Sequence, residues 1–247
     1  MKTFCALLKN ELKLNIRNMN MVIFAIILPL VVLVILGFLY GTNPAAGGTD
    51  YTFLEQSISA QCAISICAGG LMGLPLVVAE YRERKVLKRF QVTPISPGIL
   101  LAVEFLIYVL YALVSLIALL LVSGLAWDVH LRGTWVSFAG SWLLTVLSTL
   151  SIGMMVGGIA KNTKSASVIA CVLYFPMLIF SGATLPFEVM PEIVQKVIRV
   201  FPVTQGIQLM KSAFLGLSVE HFTLPILVML AVALACSGIA VKYFKWE

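Results

Sequence analysis

Seven charged side chains crowd into the ten positions Glu80-Tyr81-Arg82-Glu83-Arg84-Lys85-Val86-Leu87-Lys88-Arg89, between two long apolar stretches. Arg82, Arg84, Lys85, Lys88 and Arg89 face Glu80 and Glu83, and Val86, Leu87 and Phe90 make an apolar patch at i, i+1, i+4 spacing. Thr93-Pro94 and Ser96-Pro97 close the segment, because proline disfavours helical geometry in the residue before it. The chemistry available here is ion pairing and docking: a short helix with an apolar patch in a charged frame fits a groove on another protein. A loop that only sets membrane topology, with no partner, is the alternative reading of the same residues.

Catalytic constellations are missing from the sequence. There is no Gly-x-x-x-x-Gly-Lys-Ser/Thr phosphate loop, no His-Glu-x-x-His and no Gly-x-Ser-x-Gly. The two histidines, His130 and His221, fall in loops. Ser115, Thr145, Ser148 and Thr149 lie in apolar stretches without a base beside them, and are read as hydroxyls that bond neighbouring helices. Cys5, Cys62, Cys67, Cys171 and Cys236 lack metal-ligand spacing and read as small hydrophobes kept reduced, so no metal or cofactor is expected on this chain. Glu104, near the start of an apolar stretch, could line a pathway or pair with a loop cation; its shallow depth favours an acid that reaches water.

The elements that must position the loop are membrane helices. The 247 residues are 60% hydrophobic and 11% charged, with mean hydropathy +1.02, a balance no soluble domain of this size can carry on its surface. Six stretches read as spans: about 19–40, 53–79, 99–123, 135–160, 165–180 and 222–243. Pro29 is expected to kink the first. That first run is longer than a signal-peptide core and has no small-residue cleavage site, so it is expected to be retained. Ahead of it, Phe4, Leu8 and Leu12, with Ile16 continuing the row, oppose Lys9, Lys13 and Arg17, the pattern of an amphipathic helix at the membrane surface over 2–18. The whole chain, 1–247, reads as one membrane domain.

Lysine and arginine positions orient it. Lys2, Lys9, Lys13, Arg17, Arg82, Arg84, Lys85, Lys88, Arg89, Lys161, Lys164, Lys242 and Lys245 share one side; Arg132, Lys196, Arg199 and Lys211 share the other. The excess puts both termini and the 80–97 loop in the cytoplasm. The net charge of +6 sits beside span ends, which suits anionic lipid rather than nucleic acid. Gly69/Gly73 and Gly153/Gly157 are GxxxG pairs, read mostly as close helix packing within the chain and otherwise as a dimer contact. After the fifth span, Pro191 can start a short helix, and Thr204 can cap a second that ends near Gly216. Both are too short to span, and could form a half-buried lid at the outer end.

The order of these features carries a family resemblance. A second span ending in an acid, followed by the charged helix and Val92-Thr93-Pro94-Ile95-Ser96, resembles the membrane subunits of ABC-2 type ABC exporters. Phe180-Ser181-Gly182-Ala183-Thr184-Leu185-Pro186, then Met190-Pro191, then Phe201-Pro202-Val203-Thr204, is similar to that family's outer re-entrant segment. The family commonly has Gly-Thr where this chain has Val86-Leu87 or its neighbours. The resemblance implies an all-α integral membrane fold with six transmembrane helices, an N-terminal interfacial helix, a cytoplasmic coupling helix within 80–97, and short extracellular re-entrant helices within 182–216. It implies coupling to an ATPase through Glu80, Arg82, Glu83, Arg84, Val86, Leu87, Phe90, Thr93 and Pro94, and an outer gate at Gly182, Pro186, Pro191, Phe201 and Pro202. It also implies separate ABC ATPase subunits that hold ATP and Mg, a second copy or a similar permease, a non-catalytic transporter role, and a bacterial inner membrane. The apolar spans and the drug-type wording of both motifs favour a hydrophobic or amphipathic small-molecule cargo, such as a drug, antibiotic or lipid-like compound. Lipid-linked polysaccharide is the other cargo considered. A partner-free channel or scaffold, and less readily a membrane enzyme, are the readings of another class.

Overall fold

The computed structural model describes residues 2–17, 19–41, 43–45, 50–85, 97–180, 201–217 and 223–243. Among these, the helices are α1 (Lys2–Arg17), α2 (Met19–Tyr40), α3 (Phe53–Glu83), α4 (Pro97–Trp127), α5 (Trp135–Ile159), α6 (Thr163–Phe180), α7 (Pro202–Leu215) and α8 (Thr223–Tyr243). The only β pairing among the described residues is one isolated bridge, Pro44 to Thr52. Among the described residues, five helices are long and apolar enough to cross a membrane: α2, α3, α5, most of α4 and the 223–240 part of α8. α6, where the fifth span is expected, is a shorter apolar helix.

α3 is the centre of the bundle. It packs against α2, α4, α5, α6 and α7, and 83% of its most apolar window is buried, against 22% for α2 and 17% for α8. Its sequence explains the position. Ser57, Ser59, Ala60, Ala63, Ser65, Ala68, Gly69 and Gly70 keep the helix thin on every side, so neighbours approach closely all round. Thr52 and Glu55 start it with a reciprocal capping box: Glu55 N–H donates to Thr52 Oγ1 at 3.2 Å and Thr52 N–H to Glu55 Oε2 at 2.7 Å.

Two prolines shape the spans alike. Pro29 and Pro75 each follow a π-helical turn, Ile23–Ile27 and Ala68–Gly73. A proline inside a helix has no N–H for the carbonyl four residues back, and a widened turn accommodates the defect. At Pro29 that carbonyl belongs to Ala25, and Ser65 Oγ on α3 donates to it at 2.5 Å.

Several expected boundaries move. α3 continues to Glu83, through Glu80, Tyr81 and Arg82, which the charge pattern assigns to the loop. α4 begins at Pro97, whose fixed φ suits the first helical position, and runs on through Gly124 to Trp127. Trp127 holds that extra turn, since its ring covers Gly37 and meets Phe38 edge-on at 5.7 Å. Asp128, with φ 55°, ends the helix. α6 begins at Thr163, so only residues 160–162 separate it from α5.

α1 lies along α4. Phe4, Leu7, Leu8 and Leu12 pack against the core, and Lys9, Lys13 and Arg17 are exposed. Ile16 departs from the expected apolar row: it is 52% exposed, and Asn15 is buried instead.

Candidate functional site

The roots of the 86–96 segment, where α3 ends and α4 begins, hold the densest polar chemistry at the basic end of the bundle. Helix ends leave carbonyls unpaired at the C-terminus and amides unpaired at the N-terminus. The turn from α5 to α6 brings both kinds of end together, and two consecutive side chains of α3 satisfy them. Arg82 donates from one guanidinium nitrogen to the carbonyls of Gly157 (3.2 Å), Gly158 (2.5 Å) and Ala160 (2.7 Å). Glu83 Oε2 accepts from the Thr163 amide (2.8 Å) and the Thr163 hydroxyl (2.6 Å). Asn162 and Ser165 cap α6 reciprocally, with Ser165 N–H on Asn162 Oδ1 at 2.8 Å and Asn162 N–H on Ser165 Oγ at 3.2 Å. Each charge has the sign that suits its helix end.

The other root is also tied. Glu104 on α4, expected to reach water, is fully buried because α1 covers it. Tyr81 hydroxyl lies 2.8 Å from Glu104 Oε1 and 3.0 Å from Glu11 Oε2. Asn15 Nδ2 donates to Glu104 Oε2 at 3.2 Å and to the Glu11 carbonyl at 3.2 Å. The cluster joins α1, the last turn of α3 and the first turns of α4. Asn15, Glu11 and Tyr81 were not singled out from the sequence. The signal that could have found Asn15 and Glu11 is a polar pair, at i and i+4, beside the apolar row of α1.

Of the remaining loop residues, Glu80 and Arg84 pair with each other at 2.9 Å on the surface. Lys85 has φ 55°, the left-handed conformation that stops a helix and favours glycine. Val86, Leu87, Phe90, Thr93 and Pro94 lie outside the described residues.

At the opposite end, Phe201 and Pro202 start α7, and Gly182, Pro186 and Pro191 lie outside the described residues. Thr204 does not cap α7. Proline takes the first helical position after Phe201, which leaves Thr204 two residues inside and buried. Nor is α7 half-buried. Pro202 to Ile207 and most later positions are buried, with Gly206 seated on Thr145 of α5 and Phe214 against Phe138 at 5.5 Å. Gly216, φ 68°, ends it as expected. The α4–α5 connection straps it down, as the amides of Arg132 (3.0 Å) and Gly133 (3.1 Å) both donate to the Phe214 carbonyl. Arg132 Nε donates to Glu55 Oε1 at 3.0 Å, which anchors the strap to the start of α3. Glu55 is nearly buried, and the guanidinium offsets the cost of its charge.

The glycine pairs meet partners inside the chain. A Cβ at Gly153 would overlap the Gly70 carbonyl oxygen, one at Gly157 would press on Val78 and the Pro75 carbonyl, and Gly69 and Gly73 make room for the Tyr108 ring. Thr145 and Ser148 hydroxyls bond carbonyls of their own helix, of Ser141 and Thr145, rather than neighbouring helices. Among the described residues no group of three His, Cys, Asp or Glu side chains could hold a metal ion.

Comparisons with known proteins converge on one family. Residues 2–215 match the family model described as ABC-2 type transporter. The chain is 25% identical over 178 residues to "Probable multidrug ABC transporter permease YbhS" of Escherichia coli (strain K12), covering 72% of this chain and 46% of that protein. It is 26% identical over 184 residues to "Inner membrane transport permease YhhJ" of the same organism, covering 74% and 49%. YvfS of Bacillus subtilis (strain 168) is 23% identical over 188 residues, covering 76% of this chain and 75% of YvfS. The chain thus spans about half the length of the two Escherichia coli relatives.

Proposed function

The chain belongs to the ABC-2 type transporter family, and from that premise we propose that it is the permease subunit of an ATP-driven exporter. It is a multi-pass plasma-membrane protein with several apolar helices. Its cargo, on this reading, is a hydrophobic or amphipathic small molecule of the drug, antibiotic or lipid-like kind, moved out of the cytoplasm or inner leaflet. The word "multidrug" in the name of one relative supports that class, as does the scarcity of charge in the spans. The chain acts as a single domain over 1–247, with α6 as the sixth crossing and with a second copy or a similar permease beside it.

The observation that carries the proposal is the construction of the loop roots. The 84–96 loop leaves a bundle whose two roots are fastened, one to the α5–α6 turn and the other to α1. A loop free to wander would dissipate a push from a docked ATPase; fastened roots deliver it to the helices. On this reading ATP and Mg are held by a separate ABC ATPase chain, in keeping with the lack of a phosphate loop within these residues. Binding would fall to the loop itself, including Val86, Leu87 and Phe90. Residues 182–216 would serve as the outer gate.

The test is gentle-detergent isolation of the tagged chain from its host, with mass spectrometry and ATP-hydrolysis measurements. A stoichiometric ABC ATPase, lost on Phe90→Ala with insertion intact, is the expected result. Repeated cross-linked preparations with no ATPase would refute the proposal.

A further inference from the structure

We infer, resting on the reading of the chain as a transporter subunit, that Arg82 and Glu83 are positioning residues: they pass movement of the 84–96 loop sideways into spans four and five instead of docking the ATPase. Both side chains bond within the chain. The Arg82 guanidinium reaches three carbonyls at the end of α5, and Glu83 holds the first amide and hydroxyl of α6. The match is one of sign as well as distance. The turn shows a carbonyl end and an amide end a few residues apart, and a cation followed directly by an anion answers both. The order Arg-Glu immediately before the loop is therefore the order that this turn requires.

The clamp sits on a stiff base. Ala79, Ala160 and Ala166 are buried together, one each from α3, the turn and α6, so no long side chain separates the backbones. One turn deeper, Gly157 lets α5 close onto Val78 and the Pro75 carbonyl. A tilt of the last turn of α3 cannot be absorbed by side-chain rotation at such contacts. The polar bonds of Arg82 and Glu83 to the turn then decide whether the α5 and α6 ends follow that tilt or slide past it along the apolar contacts. Glu83 bonds Thr163 at an exposed position, where a lone contact contributes little to stability. Its role is direction of movement rather than holding the fold together.

Hydrogen exchange in the complete complex, with its ATPase, tests this without knowledge of the cargo. In the unaltered complex, ATP with vanadate should change exchange both in 84–96 and in 163–180. Absence of any change in 84–96 would sink the transporter reading itself. In the double variant Arg82→Ala/Glu83→Ala, the ATPase should still co-purify and 84–96 should still respond. The response of 163–180 should fall at least about fivefold, the low end of ordinary coupling between sites. An undiminished response in 163–180 overturns the inference. Should the double variant fail to fold, Glu83→Ala alone, which removes only the bonds to Thr163, tests the α6 arm of the clamp: the response of 163–180 should fall, and an undiminished response overturns the inference for Glu83. Joining positions 83 and 163 in Glu83→Cys/Thr163→Cys with a short bis-maleimide, in a Cys5→Ser background, should restore the response. Failure to restore it also counts against the clamp.

Discussion

Replacing Gly153 by alanine tests a close backbone contact between α5 and α3. The added methyl would overlap the Gly70 carbonyl oxygen, and would sit 3.1 Å from the Gly70 carbonyl carbon and 3.3 Å from Pro75 Cδ. Two of those three atoms are backbone and cannot rotate aside, so α5 and α3 must separate and lose dispersion contacts along their seam. Over-packing of this kind costs about 1–3 kcal/mol, and the rigid partner puts Gly153→Ala toward the upper end. Relief of glycine's entropy in a helix returns about 0.5–1 kcal/mol. The net expectation is a loss of about 2 kcal/mol. Gly140 on the same helix is the control, because nothing lies within 4 Å of a Cβ built there. Gly140→Ala should gain about 0.5–1 kcal/mol, so the two changes have opposite signs. Unfolding of the purified chain in mixed micelles, followed by tryptophan fluorescence, reads both. Equal stability for the two variants would refute the reasoning. A change in oligomer size without a change in unfolding would mean that Gly153 faces a second copy instead.

Three further expectations follow from single side chains. Lys85→Gly should stabilise the chain by up to about 1 kcal/mol, since a left-handed non-glycine residue costs about 1–2 kcal/mol and glycine returns part of that as entropy; a lower unfolding midpoint would contradict it. Arg132→Ala should cost about 1–3 kcal/mol, because Glu55 is left nearly buried with only its cap bond. It should also speed hydrogen exchange in 202–215, and an unchanged rate there would show that the Glu55 anchor does not steady the strap on α7. Asn15→Ala and Glu104→Ala should be sub-additive by about 0.5–3 kcal/mol in a double-mutant cycle, and strict additivity would separate α1 from the root of α4.

What the sequence shows of this fold is mostly what is local. Prolines mark the widened turns, Gly216 marks the end of α7, and the GxxxG pairs mark thin helix faces, because each acts within one or two turns. Misreadings arise where a distant element decides. Arg82 and Glu83 look like loop charges until the backbone ends they satisfy, some 75 to 80 residues later, come alongside. Glu104 looks wet until α1 is laid over it. The buried face of α1 departs from the i, i+4 row for a simpler reason. Steps of four advance about 400° at 100° per residue, so Ile16 stands about 120° from Phe4, whereas Asn15, eleven residues on, stands about 20° from it. Exposure follows that arithmetic, with Ile16 out and Asn15 in. For the candidate site the sequence located the loop and its flanks but not which charges face inward, since charge type carries no direction.

α3 has polar grips at both ends and a weak point between them. At one end Glu55 holds Arg132, whose amide holds the last turn of α7; at the other, Arg82 and Glu83 hold the α5–α6 turn. Midway, the Ala68–Gly73 π turn and Pro75 interrupt the regular hydrogen-bond ladder, where a helix bends most easily. That same stretch is where α5 presses closest, through Gly153 on Gly70 and Gly157 on Pro75 and Val78. Bending α3 there therefore displaces α5, and α5 bears directly on α7 at Thr145 and Gly206. Two physical routes connect the basic end to α7, one along α3 to the Glu55–Arg132 strap and one across the glycine seam to Thr145. Loss of the strap's anchor to Glu55 in Arg132→Ala leaves the second route standing, whereas an alanine at Gly153 strains the second and leaves the first. The two variants thus apportion between the routes whatever movement reaches α7.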